Sequence, residues 1–408
     1  MNCRHCGKLA NLSFANLGSA PPSNAYLNDE TVSGPETYFP LRVVVCQDCR
    51  LVQTEDYATY NNLFDADYAY FSSFSKQWLE HSKSYVSAMI DRLELSQDSL
   101  AIEIAANDGY LLQFVQERGI PCLGIEPTNS TADAARAKGI TIVEEFFGEK
   151  LASELAQNGN QADLMIANNV LAHVPDINDF VTGFSILLKP DGTATFEFPH
   201  LVKLVEFCQF DTIYHEHFSY LSLTAVHRIF AANGLTVYDV EEIPTHGGSL
   251  RVFAQRASHK AKAIEPSVGE MMIREQKLGL TKDSYYLGLQ PRAEKIKNDL
   301  LKFLIDAKES GRKVAAYGAA AKGNTLLNFA GIRPDLISYV VDRNPAKVGK
   351  FMPGSHIPIV DEARLLEDKP DYVVILPWNL EQEILEQLQY IRDWEGKFIV
   401  CVPALKVI

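Results

Sequence analysis

The run Leu100-Ala101-Ile102-Glu103-Ile104-Ala105-Ala106-Asn107-Asp108-Gly109 opens on a short apolar strand, turns through small residues and gives way at Tyr110 to a helical pattern. A second strand, Cys122-Leu123-Gly124-Ile125, ends on Glu126-Pro127. A small-residue loop after the first strand lets a nucleoside ligand approach the backbone, and an acidic residue closing the second can bind both ribose hydroxyls. The loop is not G-x-G-x-x-G, which weakens a dinucleotide reading. It suits S-adenosylmethionine, which has no pyrophosphate to seat. Glu103, Ala105, Asn107, Gly109 and Glu126 are candidate cofactor residues, together with Asn168 directly after a later strand. The competing reading of the loop is an ordinary strand-to-helix turn.

Outward from this unit, strand and helix signals alternate over residues 76–258, with further strands at 163–167, 193–198 and 250–254. Such alternation implies a mostly parallel sheet. Residues 259–408 open on a polar helical stretch in which Ile296, Leu300 and Leu304 share one face and Gly311 marks the stop. A second strand–helix series follows, with strands at 314–317, 337–341, 372–376 and 398–402. Residues 1–75 differ, with an irregular Pro-containing stretch and one short apolar strand, Val43-Val44-Val45. Three domains are therefore expected, at 1–75, 76–258 and 259–408.

The first region also carries four of the seven cysteines, as Cys3 with Cys6 and Cys46 with Cys49. Each two-residue gap lets both thiolates of a knuckle face one ion, and two knuckles make a tetrahedral set. The interval between the pairs is longer than in the usual zinc ribbon. A closed set of four thiolates leaves no open position, so the expected zinc is structural.

Two further runs carry chemistry. Tyr214-His215-Glu216-His217-Phe218-Ser219-Tyr220 packs two histidines, a carboxylate and two tyrosines into a loop read as entering a helix. Histidine is the side chain best placed to take a proton near neutral pH. The H-E-H spacing is not that of a zinc protease, because i and i+2 do not share a helix face. His173 is a further candidate, although a core role is at least as common for a lone histidine after an apolar strand. Gly318-Ala319-Ala320-Ala321-Lys322-Gly323-Asn324 sits between a strand and a helix, where backbone amides and a lysine make an anion site; helix-on-sheet packing is its plainer reading. His246-Gly247-Gly248-Ser249-Leu250-Arg251 is either a phosphate-holding turn or a hairpin bend.

The 408 residues are 47% hydrophobic and 22% charged, ordinary for a folded multidomain chain. A formal net charge of −14 argues against a general nucleic-acid binder. No apolar run is long enough to span a membrane, and MNCRHCGK is no signal peptide. The expectation is a cytoplasmic protein without nucleic-acid or membrane partners, and a monomer.

Taken together, these motifs resemble those of the sugar C-methyltransferases that act on nucleotide-linked 4-keto-deoxysugars. The resemblance rests on the four-cysteine site, the E-I-x-x-N-D-G loop, the Y-H-E-H-F-S-Y-L run and the Y-G-A-A-A-K-G-N loop, and spans nearly the whole chain. It implies an α/β fold: a small N-terminal zinc-binding domain, a Rossmann-like class I methyltransferase domain and a C-terminal Rossmann-like α/β domain that helps to bind the nucleotide. It implies His217 as the base that removes the carbon-3 proton, with Tyr214, Glu216, His173 and Tyr68 beside the sugar; Tyr70 is the alternative match to Tyr68. Ser249, Arg251, Lys322 and Asn324 are expected on the substrate side, with Lys322 near the nucleotide or its phosphates. Ala105 stands where a glycine is expected, which places the loop's backbone angle in question. Two rivals are a methyltransferase with another acceptor, such as an RNA base, and a non-catalytic nucleotide-sugar binder.

Overall fold

The structure, a computed structural model, describes residues 1–57, 71–259 and 261–408. Its centre is a seven-stranded sheet ordered Leu235–Ile243, Ser249–Arg256, Leu188–Pro199, Ala162–Asn168, Ala101–Ile104, Cys122–Ile125 and Ile142–Val143. Neighbours from Leu188–Pro199 through Ile142–Val143 pair in parallel. Ser249–Arg256 runs antiparallel to both of its neighbours. This is the expected Rossmann-like sheet with one reversed strand inserted next to the edge. Ile102, Met165, Ala194, Phe196 and Val252 are wholly buried along it, and Phe196 packs on Phe184 and Phe230 at centroid distances of 4.5 and 4.7 Å. Helices lie against it behind side-chain caps. Asp176 accepts from Asn178 N and Asp179 N ahead of Ile177–Leu187, and Ser222 accepts from Ala225 N ahead of Leu223–Ala232.

The C-terminal part holds a second sheet, ordered Ile359–Val360, Val340–Val341, Val314–Tyr317, Tyr372–Ile375, Lys397–Val400 and Lys406–Val407. The first five strands are parallel and the last is antiparallel. The helix expected from Ile296, Leu300 and Leu304 spans Leu289–Glu309 and buries that face.

The N-terminal part is more regular than its sequence indicates. Ala10–Ala20, Phe39–Cys46, Val52–Thr54 and Ser219–Tyr220 form an antiparallel sheet. The first strand escapes a reading by alternation because three register shifts interrupt its pairing with Phe39–Cys46. Both faces of this sheet are covered. Val44 and Cys46 belong to the core of the central sheet, while Val43 and Val45 belong to the core shared with the C-terminal sheet. A strand buried on both faces reads as a continuous apolar run, which is why Val43-Val44-Val45 stands out.

The fourth strand of that sheet comes from the middle of the chain. The Tyr214–Phe218 run therefore leads into the two-residue strand Ser219–Tyr220 rather than straight into a helix, which begins only at Leu223. Val52 and Gln53 offer the sheet edge that captures it. No helix among the described residues is long and apolar enough to cross a membrane.

Candidate active site

The Sγ atoms of Cys3, Cys6, Cys46 and Cys49 lie within 4.8 Å of one another. The Cys3–Cys49 and Cys6–Cys46 pairs are each 3.5 Å apart. A tetrahedral zinc with Zn–S bonds of about 2.3 Å separates its sulfurs by about 3.8 Å, so the set fits that ion with little movement. Four sulfurs close the coordination shell and assign zinc a structural role.

The loop after Ala101–Ile104 winds through left-handed backbone at Ala105 (φ 56°), Asn107 (φ 49°) and Gly109 (φ 73°). Ala105 thus adopts the conformation for which glycine is the usual choice. At Gly109 a side chain is also excluded by space, since a Cβ would lie 2.3 Å from Ile140 Cδ1. Glu126 Oε2 accepts from Asn107 N at 2.9 Å and Oε1 from Thr128 N at 2.9 Å, tying the end of the second strand to the loop. The C-terminal sheet repeats the device. Asp342, directly after Val340–Val341, accepts from Ala319 N and Asn344 N, both at 2.8 Å.

Several buried polar atoms beside the first loop lack partners. Neither terminal atom of Asn168 completes a hydrogen bond among the described residues, and the buried Glu103 carboxyl has the Tyr110 phenol beside it. Burial holds the Glu103 carboxyl well above the ordinary range; the Tyr110 phenol pulls it back, and the Asp108 and Glu126 charges add to the rise. Buried polar groups without partners at the carboxyl ends of parallel strands mark a ligand crevice. Their donors and acceptors suit a polar ligand such as S-adenosylmethionine, and Glu126 and Asn107 lie together on the same loop. Ser72 N donates to Asn107 Oδ1 at 2.9 Å and Ser73 Oγ to Asp108 Oδ2, so the 71–75 segment packs on the same loop.

The Y-H-E-H run brings three predicted residues together. His217 Nδ1 lies 2.9 Å from the Thr212 carbonyl, which can only accept, so Nδ1 carries the proton and Nε2 is the bare nitrogen. The Tyr214 hydroxyl donates to that Nε2 at 2.8 Å, with ring centroids 4.0 Å apart. His173 meets the His217 ring edge-on at 4.6 Å, and its Nδ1 donates to the Glu216 carbonyl at 2.8 Å. Burial, then the neighbouring His173, holds His217 well below its usual value, and burial lowers His173 to about 4. Both imidazoles are neutral at neutral pH. The Glu216 side chain turns elsewhere. It accepts from Asn24 Nδ2 at 3.2 Å, and burial raises its carboxyl to about 7. Tyr68 and Tyr70 lie outside the described residues.

The residues expected on the substrate side divide. Arg251 is committed to Glu197, through Nε at 2.7 Å and Nη2 at 2.6 Å, and to Glu241. Ser249 Oγ donates to the Thr245 carbonyl, within the turn of the hairpin joining Leu235–Ile243 to Ser249–Arg256. Asn324 Nδ2 donates to the Ser23 carbonyl at 2.5 Å. Lys322, on the first turn of the helix Ala321–Ala330, donates to Asn379 Oδ1 at 2.6 Å and lies 4.5 Å above the Trp378 ring. Other neighbours were not among the expected site residues. His246 accepts from Asn169 Nδ2 at 3.2 Å and is lowered to about 4 by burial. Trp78 stacks on His81 at 4.9 Å. Trp378 Nε1 donates to Asp211 Oδ2 at 2.7 Å. Only His246 lay in a run that the sequence singled out.

The chain is 34% identical over 406 residues to the C-methyltransferase NovU of Streptomyces niveus, covering 100% of this chain and 96% of that one. It belongs to the C-methyltransferase family. Family models match three segments: a zinc binding domain over residues 3–64, a methyltransferase domain over 78–240 and a C-methyltransferase C-terminal domain over 244–403. Among solved structures, the S-adenosylmethionine-bound magnesium protoporphyrin IX methyltransferase of Synechocystis PCC 6803 is 17% identical, covering 44% of this chain and 79% of its own, with a TM-score of 0.33. The PH0226 protein of Pyrococcus horikoshii is 13% identical, covering 49% and 100%, with a TM-score of 0.37. As a family member this C-methyltransferase uses S-adenosylmethionine and carries a structural zinc.

Proposed function

We propose that the acceptor is carbon 3 of a nucleotide-linked 4-keto-deoxysugar, methylated through an enolate. The observation that carries this reading is His217 itself. It is an imidazole fixed in the Nδ1–H tautomer by Thr212, kept neutral by burial, with Nε2 met by the Tyr214 hydroxyl. A hydrogen on carbon next to a ketone is acidic because the carbanion delocalises onto oxygen, and a positioned neutral base contributes about 10²–10⁴-fold to its removal. His217 Nε2 takes that proton. Tyr214 stands beside His217 on the sugar side. His173 closes the pocket against the His217 ring. Glu126, Asn107, Gly109, Ala105, Glu103 and Asn168 line the cofactor side, where S-adenosylmethionine, when bound, supplies an electrophilic methyl group. Glu216 and Lys322 complete the sugar and nucleotide side, while Arg251, Ser249 and Asn324 are engaged within the fold by Glu197, Thr245 and Ser23.

The same reading divides the chain into a zinc-binding unit at 1–75, a methyltransferase unit at 76–258 and a nucleotide-binding unit at 259–408, working in the cytoplasm. The test is solvent exchange. With S-adenosylhomocysteine in place of the methyl donor, the enzyme should wash deuterium into carbon 3 of nucleoside-diphosphate 4-keto-deoxyhexoses. His217→Asn should bind both ligands and not exchange. Labelled methyl transfer to RNA but to no ketosugar would refute the acceptor. Equal exchange by wild type and His217→Asn would refute the base.

A further inference from the structure

Lys322 is placed by the same backbone that positions the base. On its helix Ala321–Ala330, Thr325 Oγ donates to the Ile213 carbonyl at 2.8 Å, one residue before Tyr214. The Lys322 ammonium lies over the indole of Trp378, whose Nε1 holds Asp211. Asp211 belongs to the turn Phe210–Thr212, and the Thr212 carbonyl orients His217. The far edge of Trp378 abuts Gly247, where a Cβ would lie 2.6 Å from the ring, so Trp378 also reaches the turn that carries His246. The 209–217, 245–248 and 321–325 segments and Trp378 thus bring Lys322, His217 and His246 into one neighbourhood, with His173 against the His217 ring.

Within that neighbourhood Lys322 and Asp211 feel each other's charge without direct contact. Lys322 forms no ion pair of 4.0 Å or less among the described residues, and its hydrogen bond to Asn379 uses one of three N–H donors on a neutral partner. Asp211 is wholly buried with Oδ1 unpartnered. Burial pushes its carboxyl up to about 6 and the lysine down to about 8, where it is still largely cationic at neutral pH. The Lys322 charge is felt at both His217 and His246. A partly buried ammonium with spare donors and no close counter-ion is costly at rest, and such a charge pairs best with negative charge that develops during reaction.

We propose that Lys322 is a catalytic residue that binds the keto oxygen of the acceptor and holds its negative charge in the enolate. This rests on the ketosugar reading and names the group that Lys322 meets there: the ketone rather than the phosphates. In the step, the C–H bond at the carbon beside the ketone breaks and its proton goes to His217 Nε2. The C–H electron pair forms the C=C bond, and the carbonyl π pair moves onto oxygen, where the Lys322 ammonium offsets it. The lysine keeps its own protons throughout.

The test uses the full-length enzyme with S-adenosylhomocysteine and, as probes, a nucleoside-diphosphate 4-keto-deoxyhexose for exchange and the matching nucleoside diphosphate for binding. Lys322→Met should lower the deuterium exchange rate at saturating ketosugar by roughly 10²–10³-fold, the usual worth of one oxyanion donor. Its affinity for the nucleoside diphosphate should stay within about twofold of wild type, since uniform binding is untouched. Lys322→Arg, which keeps the charge, should recover part of the rate, and an unchanged melting curve establishes that both variants fold. Normal exchange in Lys322→Met overturns the proposal. So does a loss of nucleoside-diphosphate affinity with normal exchange at saturation, which makes Lys322 a phosphate ligand. Wild-type enzyme that exchanges no ketosugar yet transfers methyl to another acceptor overturns the ketosugar reading and the proposal with it.

Discussion

Removing the Tyr214 hydroxyl should make His217 a stronger base in the resting enzyme. The phenol donates to the bare Nε2 at 2.8 Å while Nδ1–H is held by the Thr212 carbonyl, so the hydrogen bond stabilises the neutral ring and competes with protonation. A neutral hydrogen bond contributes about 0.5–1.5 kcal/mol. At about 1.36 kcal/mol per unit, its loss in Tyr214→Phe should raise the His217 pKa by about 0.4–1.1 units. The wild-type value starts well below 6.5, through burial and then His173, so the variant moves back toward the ordinary range. Selective ¹⁵N labelling of the ten histidines, with His217→Asn to assign the signal, reads both the pKa and the tautomer directly. The acid limb of kcat/KM, which reports the base losing its proton, should move to higher pH by the same amount. A His217 signal that titrates at the same or lower pH in Tyr214→Phe, or a wild-type ring protonated at Nε2 rather than Nδ1, would refute the reasoning.

Elemental analysis should find one zinc per chain, and Cys3→Ser should lose it with a fall in thermal stability, because metal binding at such a site is folding energy. Glu126→Ala should weaken S-adenosylmethionine binding by about 1–3 kcal/mol in calorimetry, since the Asn107 and Thr128 amides lose their acceptor and the ribose loses its partner. Glu216 has its folded pKa raised by burial to about 7 from 4.5, so the stability it contributes is full below 4.5 and lost as pH rises through 7. Glu216→Gln should therefore gain stability relative to wild type on going from pH 5 to pH 8; a constant difference across that range counts against a buried carboxyl. With Lys322 lowered to about 8 by burial and needed as a cation, kcat should decline above that pH, and in Lys322→Arg this alkaline limb should vanish.

Local features were legible in the sequence. The strand–loop–strand unit ending at Glu126 came through because each decisive residue lies within one βαβ repeat. The cysteine knuckles did so because two-residue spacing has few other uses. The Y-H-E-H run stood out by density, and the family resemblance singled out His217 and Tyr214 within it. What could not be read was assembled across distance. Asp211 finds Trp378, Asn324 finds Ser23, and Glu216 finds Asn24, partners with no common local pattern. Arg251 reads as a phosphate ligand beside two glycines, yet Glu197, two strand positions before Pro199, faces it across the antiparallel pair and holds its guanidinium. The left-handed angle at Ala105 was signalled only by the family pattern, since alanine itself does not call for it.

The doubly covered N-terminal sheet sets an order for synthesis. Its first three strands, ending at Thr54, leave the ribosome long before Ser219–Tyr220 can complete the edge. At about 5–20 residues per second the interval is roughly 10–30 s. Throughout it Val43 and Val45 on one face, and Val44 on the other, wait for cores that do not yet exist. Zinc captured by the first 49 residues can tie Phe39–Cys46 to the chain start during that interval, so metal supply at the ribosome, rather than in the finished enzyme, is where scarcity would first be felt.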